Sequence, residues 1–453
     1  MAVVSIVPYN EITEAARWDA EFYQPYFREL GQKLQRSCKQ TLADFASPSD
    51  ATFDPASVDE FNYAEISRVD SSCGQIETIR VKSADTPDRA QTLLKGGEVL
   101  VSTVRPNRSL VGLVPYGVEN WVATSGFAAL LASDKRYRST LFAWLKTKEI
   151  TDWLDRHTTA SMYPAVSAPD IFKSPFPHLS DSVLNRIHDL VSSMELILEN
   201  GRKCYPEAEI ELLERIGWQD LNKQPRELYY TENFQTLTKQ ARIDAESMHP
   251  KYHRLLKQLD TLGASSVTKL CYFNKHGIQP PYVEGGTIPI ITQRQFSATS
   301  LCISDVEHWT DSTFLTTNPD FALRRGDVLV YSVSAGDYLG QTNLYDEVTP
   351  SAAASFVTIL RTNQLVPAYL ALFLNSPAGT LQTNSLKRGT SPFYLYPRDL
   401  ALVQVFVPQT KTGKVDLTWQ EKLADKVLAA ARAKIEACAK LEEAKRIVET
   451  SIS

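Results

Sequence analysis

The chain carries one long pattern twice, so any fold for it must close on about half its length. Ala16-Arg17-Trp18-Asp19-Ala20-Glu21, followed by Pro25, returns as Ala241-Arg242-Ile243-Asp244-Ala245-Glu246, followed by Pro250. Six of those ten positions are identical at a shift of 225 residues, Asp19 to Asp244. Ile66-Ser67 falls over Ile291-Thr292 at the same shift. After four extra residues in the second copy, Gly97-Glu98-Val99-Leu100-Val101 falls over Gly326-Asp327-Val328-Leu329-Val330, Leu145 over Leu374 and Asp170 over Asp399. A period this long is the size of a domain and far exceeds a solenoid repeat. The chain is a tandem duplication, and a duplicated domain suits a function that needs two similar sites at a fixed separation.

Each copy has the same internal plan. A short helix is expected first, from Phe22, Tyr26 and Leu30 in one copy and Tyr252, Leu255, Leu256 and Leu259 in the other. Strands are expected at Val99–Val104, Phe127–Leu131, Val328–Val333, Phe356–Leu360 and Val403–Val407, where β-branched and aromatic runs are bounded by Gly, Pro and Asn. Helices are expected at Leu141–Leu154 and Pro367–Leu374. The repeated blocks therefore read as compact α+β domains.

A long helix follows each block. Ser180–Asp181 can cap the first, with Val183, Ile187, Leu190, Val191, Met194 and Leu198 as one apolar stripe. Gly201 and Pro206 are expected to interrupt it, with Glu207–Ile216 resuming. The second opens on a capping-box pattern, Thr418-x-x-Glu421, and Leu423, Val427, Ala430, Ile435, Cys438, Leu441 and Ile447 are expected to face inward. Both stripes lie after their globular part has ended, so the two helices are expected to pair as an antiparallel coiled-coil spacer. The boundaries follow: 1–179 and 238–408 for the domains, 180–217 and 409–453 for the helices, and a polar connector over 218–237.

Composition limits the functions open to such a chain. Hydrophobic residues make up 43% and charged residues 22%, in the range of a globular protein. Met1–Asn10 has neither the basic start nor the apolar run of a signal peptide, and no apolar run is long enough to span a bilayer. The six cysteines are scattered without a C-x-x-C pair, which reads as reduced thiols in a cytoplasmic protein. A formal net charge of −5 means that any nucleic-acid surface is a local patch or is completed by a basic partner.

No catalytic constellation is read. There is no G-x-G-x-x-G, no Walker loop and no Asn/Asp-Pro-Pro-aromatic quartet, so no cofactor is implied. His249 and His253 flank Pro250 and have no counterparts in the first copy, and Glu443-Ala444-Lys445 lies in a charged helix; neither is taken as a metal or nuclease site. Polar recognition chemistry is present instead, at matching places in the two copies. After the first Gly-acidic-Val-Leu-Val strand come Ser102, Thr103, Arg105, Asn107 and Arg108; after the second come Ser332 and Ser334. Thr159, Ser161 and Tyr163 match Lys387, Arg388, Thr390, Ser391 and Tyr394, and Gln293, Arg294 and Gln295 end another expected strand. Arg and Lys pair with phosphate or guanine, Gln and Asn suit adenine, and Ser and Thr make shorter contacts.

These features together resemble the specificity subunit of type I restriction–modification systems. The resemblance rests on the doubled plan of domain and helix, on Gly97–Val101 and Gly326–Val330, and on Ser161 to Asp170-Ile171 and Gly389-Thr390 to Asp399-Leu400. It rests also on Pro177 and Pro408 shortly before the helices. Gln420-x-x-Leu423 fits the family's start of a long helix; Leu184-x-x-Ile187 and Ala160 depart from its pattern. The resemblance implies a non-catalytic subunit with two target-recognition domains, each reading one part of a split, asymmetric double-stranded DNA sequence. It implies helices that act as a ruler and dock DNA methyltransferase subunits, which recruit a motor/restriction subunit. A helix over 418–450 would be roughly 50 Å long and span on the order of 14 base pairs. Two other readings stay open: a protein-interaction scaffold that reads no DNA, and an enzyme whose site is assembled from distant residues.

Overall fold

The structure, a computed structural model, describes residues 5–49, 51–159, 163–223, 230–231, 244–296, 301, 306–334 and 338–452. It divides into two compact units, one of residues 1–198 with 436–453 and the other of residues 199–435. Helix and sheet are mixed in both.

In unit 1 a four-stranded antiparallel sheet runs in the order Ala46–Pro48, Phe127–Ala132, Val99–Ser102, Val111–Leu113. In unit 2 the order is Cys271–His276, Val357–Thr362, Asp327–Tyr331, Thr342–Tyr345, again antiparallel. The repeated Val-Leu-Val triplet is central in each, and all six of its side chains are buried. Beside each sheet lies a second one built on a parallel pair, Asn62–Ala64 with Trp121–Ala123 in unit 1 and Ile290–Ile291 with Ala352–Ala353 in unit 2. A two-stranded ribbon closes each unit, Gln40–Thr41 with Pro175–Phe176 and Ser265–Ser266 with Gln404–Val405. The last of these is shorter than the strand expected over Val403–Val407, although Val403 and Val405 are both buried.

The helix expected over Leu141–Leu154 is two helices, Lys135–Leu145 and Lys148–Arg156. Thr147 makes the break: its backbone is extended and its buried Oγ1 donates to the Trp144 carbonyl at 2.7 Å. Unit 2 breaks at the matching place, between Pro367–Asn375 and Pro377–Leu386, where Ser376 Oγ donates to the Phe373 carbonyl at 2.7 Å. Ser and Thr compete with the backbone for carbonyls in this way, and periodicity alone does not register it. The opening helices are Pro25–Ser37 and Pro250–Thr261; Phe22 is buried ahead of the first, and Tyr26 is exposed.

The first long helix, Asp181–Arg215, continues through Gly201 and Pro206 without the expected interruption. Pro206 and Arg202, whose carbonyl loses its N–H partner, both lie on the exposed side, so the lost bond is not buried. Gly201 is buried, and a Cβ there would lie 2.5 Å from the Ala433 Cβ, so glycine permits a close helix approach. The second long helix is Leu417–Thr450. Its start is set by Asp416, whose Oδ1 accepts from the Trp419 N–H at 3.1 Å, and not by the Thr418-x-x-Glu421 box. Gln420 is drawn inward, where its Oε1 accepts from the Val366 N–H at 3.0 Å, and this draws the helix start upstream.

Ile435 is exposed, contrary to the inward stripe expected for it. The buried face runs Leu423, Val427, Ala430 and Lys434 in unit 2, then Ala437, Leu441, Ala444 and Val448 in unit 1. These steps alternate four and three, a seven-residue period that places Ile435 outside the seam. The first helix steps likewise through Leu184, Ile187, Val191 and Met194 in unit 1 and Gly201, Ala208 and Leu212 in unit 2. Within unit 2 the helices are joined by Glu207–Lys426, Glu211–Lys422 and Arg215–Asp416, and numbers rise on one as they fall on the other. Within unit 1 Arg186 pairs with Glu443 at 2.7 Å, and Lys445 with Glu442.

Candidate nucleic-acid interfaces

The Gly-acidic-Val-Leu-Val segments build the frame that carries the candidate loops. Gly97 and Gly326 have φ near +90°, a conformation other residues rarely adopt, and the acidic residue that follows closes the preceding turn. Glu98 Oε1 accepts from the Lys95 N–H at 2.8 Å and from Ser49 Oγ at 3.2 Å. Asp327 accepts from the Arg324 N–H at 3.0 Å and is gripped by Arg361, whose Nε and Nη2 donate to its two oxygens at 2.7 and 2.9 Å.

In unit 1 the strand Val99–Ser102 ends in a hairpin-like crossing of two distant loops. Ser102 is buried and its Oγ donates to the Val104 carbonyl at 2.8 Å; Thr103 Oγ1 donates to the Gly126 carbonyl at 3.0 Å. The Val166 N–H donates to the Thr103 carbonyl at 2.8 Å, and the Arg105 N–H to the Pro164 carbonyl at 2.7 Å. Thr159 and Ala165 bond to each other through both backbone groups. Thus Ser102–Arg108, and Thr159 with Pro164–Val166 more than fifty residues further on, meet at one strand end. Ser161 lies outside the described residues. Arg105 and Ser109 both have φ of 50°, so the Pro106–Arg108 turn between them is strained, and it holds Asn107 and Arg108 exposed. The Arg105 guanidinium lies 5.5 Å from the ring of exposed Tyr163.

Unit 2 brings its two segments together in the same way. Val333 and Ser334 pair antiparallel with Tyr394 and Phe393, the Leu395 N–H donates to the Ser332 carbonyl at 2.9 Å, and Arg388 bridges to Tyr394. Ser332 is buried and its Oγ lies 2.5 Å from Thr358 Oγ1, which in turn lies 2.9 Å from His276 Nδ1. Burial holds the His276 imidazole below its ordinary pKa and so neutral near pH 7. Arg388 forks onto buried Asp399, with Nε–O distances of 3.0 and 2.9 Å and an Nη2–Oδ1 distance of 2.7 Å. That carboxylate raises the guanidinium pKa further above its ordinary value. Lys387 Nζ lies 4.4 Å from the Phe393 ring centroid, and Thr390 and Ser391 are exposed beyond Gly389. Tyr394 stacks on Tyr396 with centroids 5.7 Å apart; His276 and Arg398 also approach Tyr396.

Gln293–Gln295 occupies a one-turn helix at the end of Ile288–Ile291. Gln293 and Arg294 are exposed, and Arg294 is ion-paired with Glu307. Gln295 is buried, and its Oε1 closes the turn by accepting from the Thr292 N–H at 2.8 Å. The neighbouring Phe296 ring is 6.0 Å from Tyr331, beside Ser332, which brings this turn toward the unit 2 loops.

Sequence reasoning missed His276, Thr358, Tyr396 and Arg398. Tyr394-Leu395-Tyr396 alternates with Leu395 fully buried, a period-two signal that could have revealed Tyr396. His276 and Thr358 sit on strands far apart in sequence and left no local signal. His249 is a helix cap, its Nδ1 accepting from the Lys251 N–H at 3.1 Å. Among the described residues no grouping of His, Cys, Asp and Glu is arranged to hold a metal ion. Nor is any helix among them long and apolar enough to cross a membrane.

No protein-family model matches the chain, and no curated protein does. Solved structures that it matches over nine-tenths of its length are S subunits of type I restriction–modification systems. One is the HsdS subunit from Thermoanaerobacter tengcongensis, 20% identical, covering 91% of this chain and 95% of that one, with a TM-score of 0.32. Another is the type I restriction–modification S subunit from M. genitalium, 14% identical, covering 91% and 94%, with a TM-score of 0.38. A third comes from work on complex assembly and conformational transition of the type I R-M system, 20% identical, covering 91% and 96%, with a TM-score of 0.33. At these TM-scores the likeness carries no residue-by-residue correspondence.

Proposed function

We propose that this chain is the non-catalytic specificity subunit of a type I restriction–modification complex. It reads a split, asymmetric DNA target with two recognition domains and directs DNA methyltransferase subunits, and through them a motor/restriction subunit, to that target. One observation carries this reading above the others. In each copy, two loops distant in sequence meet at the end of the same central strand, and both loops are rich in Arg, Lys, Ser, Thr and Tyr. Base edges and phosphates are met by these side chains, and aromatic side chains add stacking or apolar contact. Unit 1 offers Arg105, Asn107, Arg108, Thr159 and Tyr163; unit 2 offers Gln293, Arg294, Lys387, Arg388, Thr390, Ser391 and Tyr394. Ser102, Thr103, Gln295, Ser332 and Ser334 make internal hydrogen bonds or are buried, and we assign them the task of shaping the loops. The seven-residue seams of the long helices support their role as an antiparallel coiled-coil spacer between the two domains.

The test is modularity. Replacing residues 238–408 with the corresponding block of a chain of different specificity is expected to change one half of the selected DNA sequence and leave the other half and the gap intact. A change in both halves contradicts the two-reader assignment. A complex that forms with the methyltransferase yet enriches no sequence supports the scaffold reading, which the net charge of −5 favours.

A further inference from the structure

The duplicated Ala-Arg-x-Asp-Ala-Glu segment has no part in the reading above, and in unit 1 its arginine is built into a specific place. Arg17 Nη2 donates to the Thr158 carbonyl at 2.8 Å, and Nη1 reaches the His157 carbonyl at 3.5 Å. Its Nε donates to Asp19 Oδ2 at 2.6 Å, while Asp19 Oδ1 accepts from the Phe22 N–H at 3.1 Å. The hydrogen bond from Arg17 is the main cause of a lowered Asp19 pKa. Two guanidinium groups approach the ring of buried Phe22, Arg17 at 5.0 Å and Arg156 at 4.1 Å from its centroid. Tyr23 Oη donates to the Arg17 carbonyl at 2.9 Å and Arg156 Nε to the Phe22 carbonyl at 3.0 Å. The two carbonyls that Arg17 holds lie just past the helix Lys148–Arg156, where unsatisfied carbonyls and the helix dipole both favour a cation. The next residue, Thr159, opens the candidate recognition loop.

Resting on the reading of function above, we infer that Arg17 is a positioning residue for the second recognition loop of unit 1: it fixes the departure of Thr158 and Thr159 from the helix end and so sets which bases the loop they open meets. Three independent constraints converge on its guanidinium: a carboxylate, a pair of carbonyls and an aromatic face. A planar fork of donors satisfies all three, and an ammonium satisfies only part of them. Unit 2 keeps the aspartate's share of the arrangement, since the Ser247 N–H donates to Asp244 Oδ1 at 2.9 Å at the position matching Phe22 and Asp19. Asp244 also acts electrostatically on Arg388, within the matching loop of that unit. The aspartate of the repeat thus accepts from the backbone N–H three residues on in both units.

The experiment is selection from random duplex DNA by the full chain in complex with its methyltransferase subunits, with wild type, R17M and R17K in parallel. R17M is expected to lose about tenfold discrimination at one or more positions of one half-sequence, with the other half and the gap unchanged, and R17K is expected to recover part of it. Hydrogen exchange on the same complexes should show faster exchange at the Thr159 and Ala165 amides in R17M, with the unit 2 amides unaltered. If R17M copies the wild-type profile in both halves, or blurs both halves equally, the assignment to Arg17 is overturned while the reading of function stands. A wild-type complex that enriches no sequence overturns the reading of function, and this assignment with it.

Discussion

Lys146 and Asn375 occupy the same place in the two units, at the end of the first helix that packs on the central sheet, and they do the same work with different chemistry. Buried Lys146 donates from Nζ to the Ser71 carbonyl at 2.7 Å and the Ser109 carbonyl at 3.3 Å, tying the strained Arg105–Ser109 turn down from below. Asn375 uses a neutral amide, accepting from the Thr342 N–H at 2.7 Å and donating to the Thr342 carbonyl at 2.6 Å. Both side chains anchor the backbone that leads into or out of the sheet's edge strand. The acidic residues of the repeated strand differ in the same manner. Asp327 is matched by the Arg361 fork, whereas Glu98 relies on an amide and a hydroxyl, and its Oε2 has no hydrogen-bond partner among the described residues. A duplicated frame therefore keeps its hydrogen-bonding tasks and lets each copy solve them with its own charges.

That contrast makes unequal demands testable. The largest expected effect is at Asp327. D327N leaves the Arg361 guanidinium buried without its counter-charge and should cost unit 2 about 3–5 kcal/mol. E98Q keeps an oxygen for Lys95 and Ser49 and should cost unit 1 less than about 1 kcal/mol. Hydrogen exchange resolves the two sheets separately, which a single unfolding curve does not. Equal costs would mean that the acidic residue only closes a turn in both copies.

The second difference appears with pH. Burial pushes the Lys146 amine down to about 8 from 10.5. Facing it are Cys73, Asp70, Lys445 and Cys438. Between those two values the unfolded chain holds a proton that folded unit 1 has released, so unit 1 gains stability as pH rises, by about 1.4 kcal/mol per pH unit. K146M should abolish that slope, and unit 2, with Asn375 in the same place, should show no corresponding component. Exchange measured at a series of pH values, corrected for the intrinsic rate, checks both.

The smallest effects separate reading from holding. R388A should relax one base position of one half-sequence by about 1–3 kcal/mol, whereas R108A should weaken all sequences alike and lower the salt slope by about 1. Competition binding at two salt concentrations distinguishes these outcomes. If R388A behaves as R108A does, Asp399 holds Arg388 for phosphate and not for a base.

Much of the frame was legible because duplication placed each signal twice. The central strands and the correspondence of the loop segments follow from positions that recur near a shift of 229 residues, and the two long helices from their apolar stripes. What was not legible came from side chains competing with periodicity. Thr147 splits a helix whose apolar pattern runs on, and Gln420 and Asp416 moved a helix start away from a plausible capping box. Ile435 lies at a helical spacing from Val427, but the seam steps by seven and passes it by. Pro206 does not break its helix because the bond it removes lies on the exposed side, which a local sequence signal does not carry. The His276–Thr358–Ser332 chain joins two strands distant in sequence and the residue just past a third, and no local pattern marks such a juxtaposition.

The central claim is that two like domains read two separate DNA sequences at a fixed spacing. It is tested most directly by selecting random duplex DNA on the wild-type chain co-purified with its methyltransferase subunits. The expected product is a two-part, asymmetric motif with an invariant gap of about one helical turn. A single contiguous motif, or a complex that enriches no sequence at all, would contradict it.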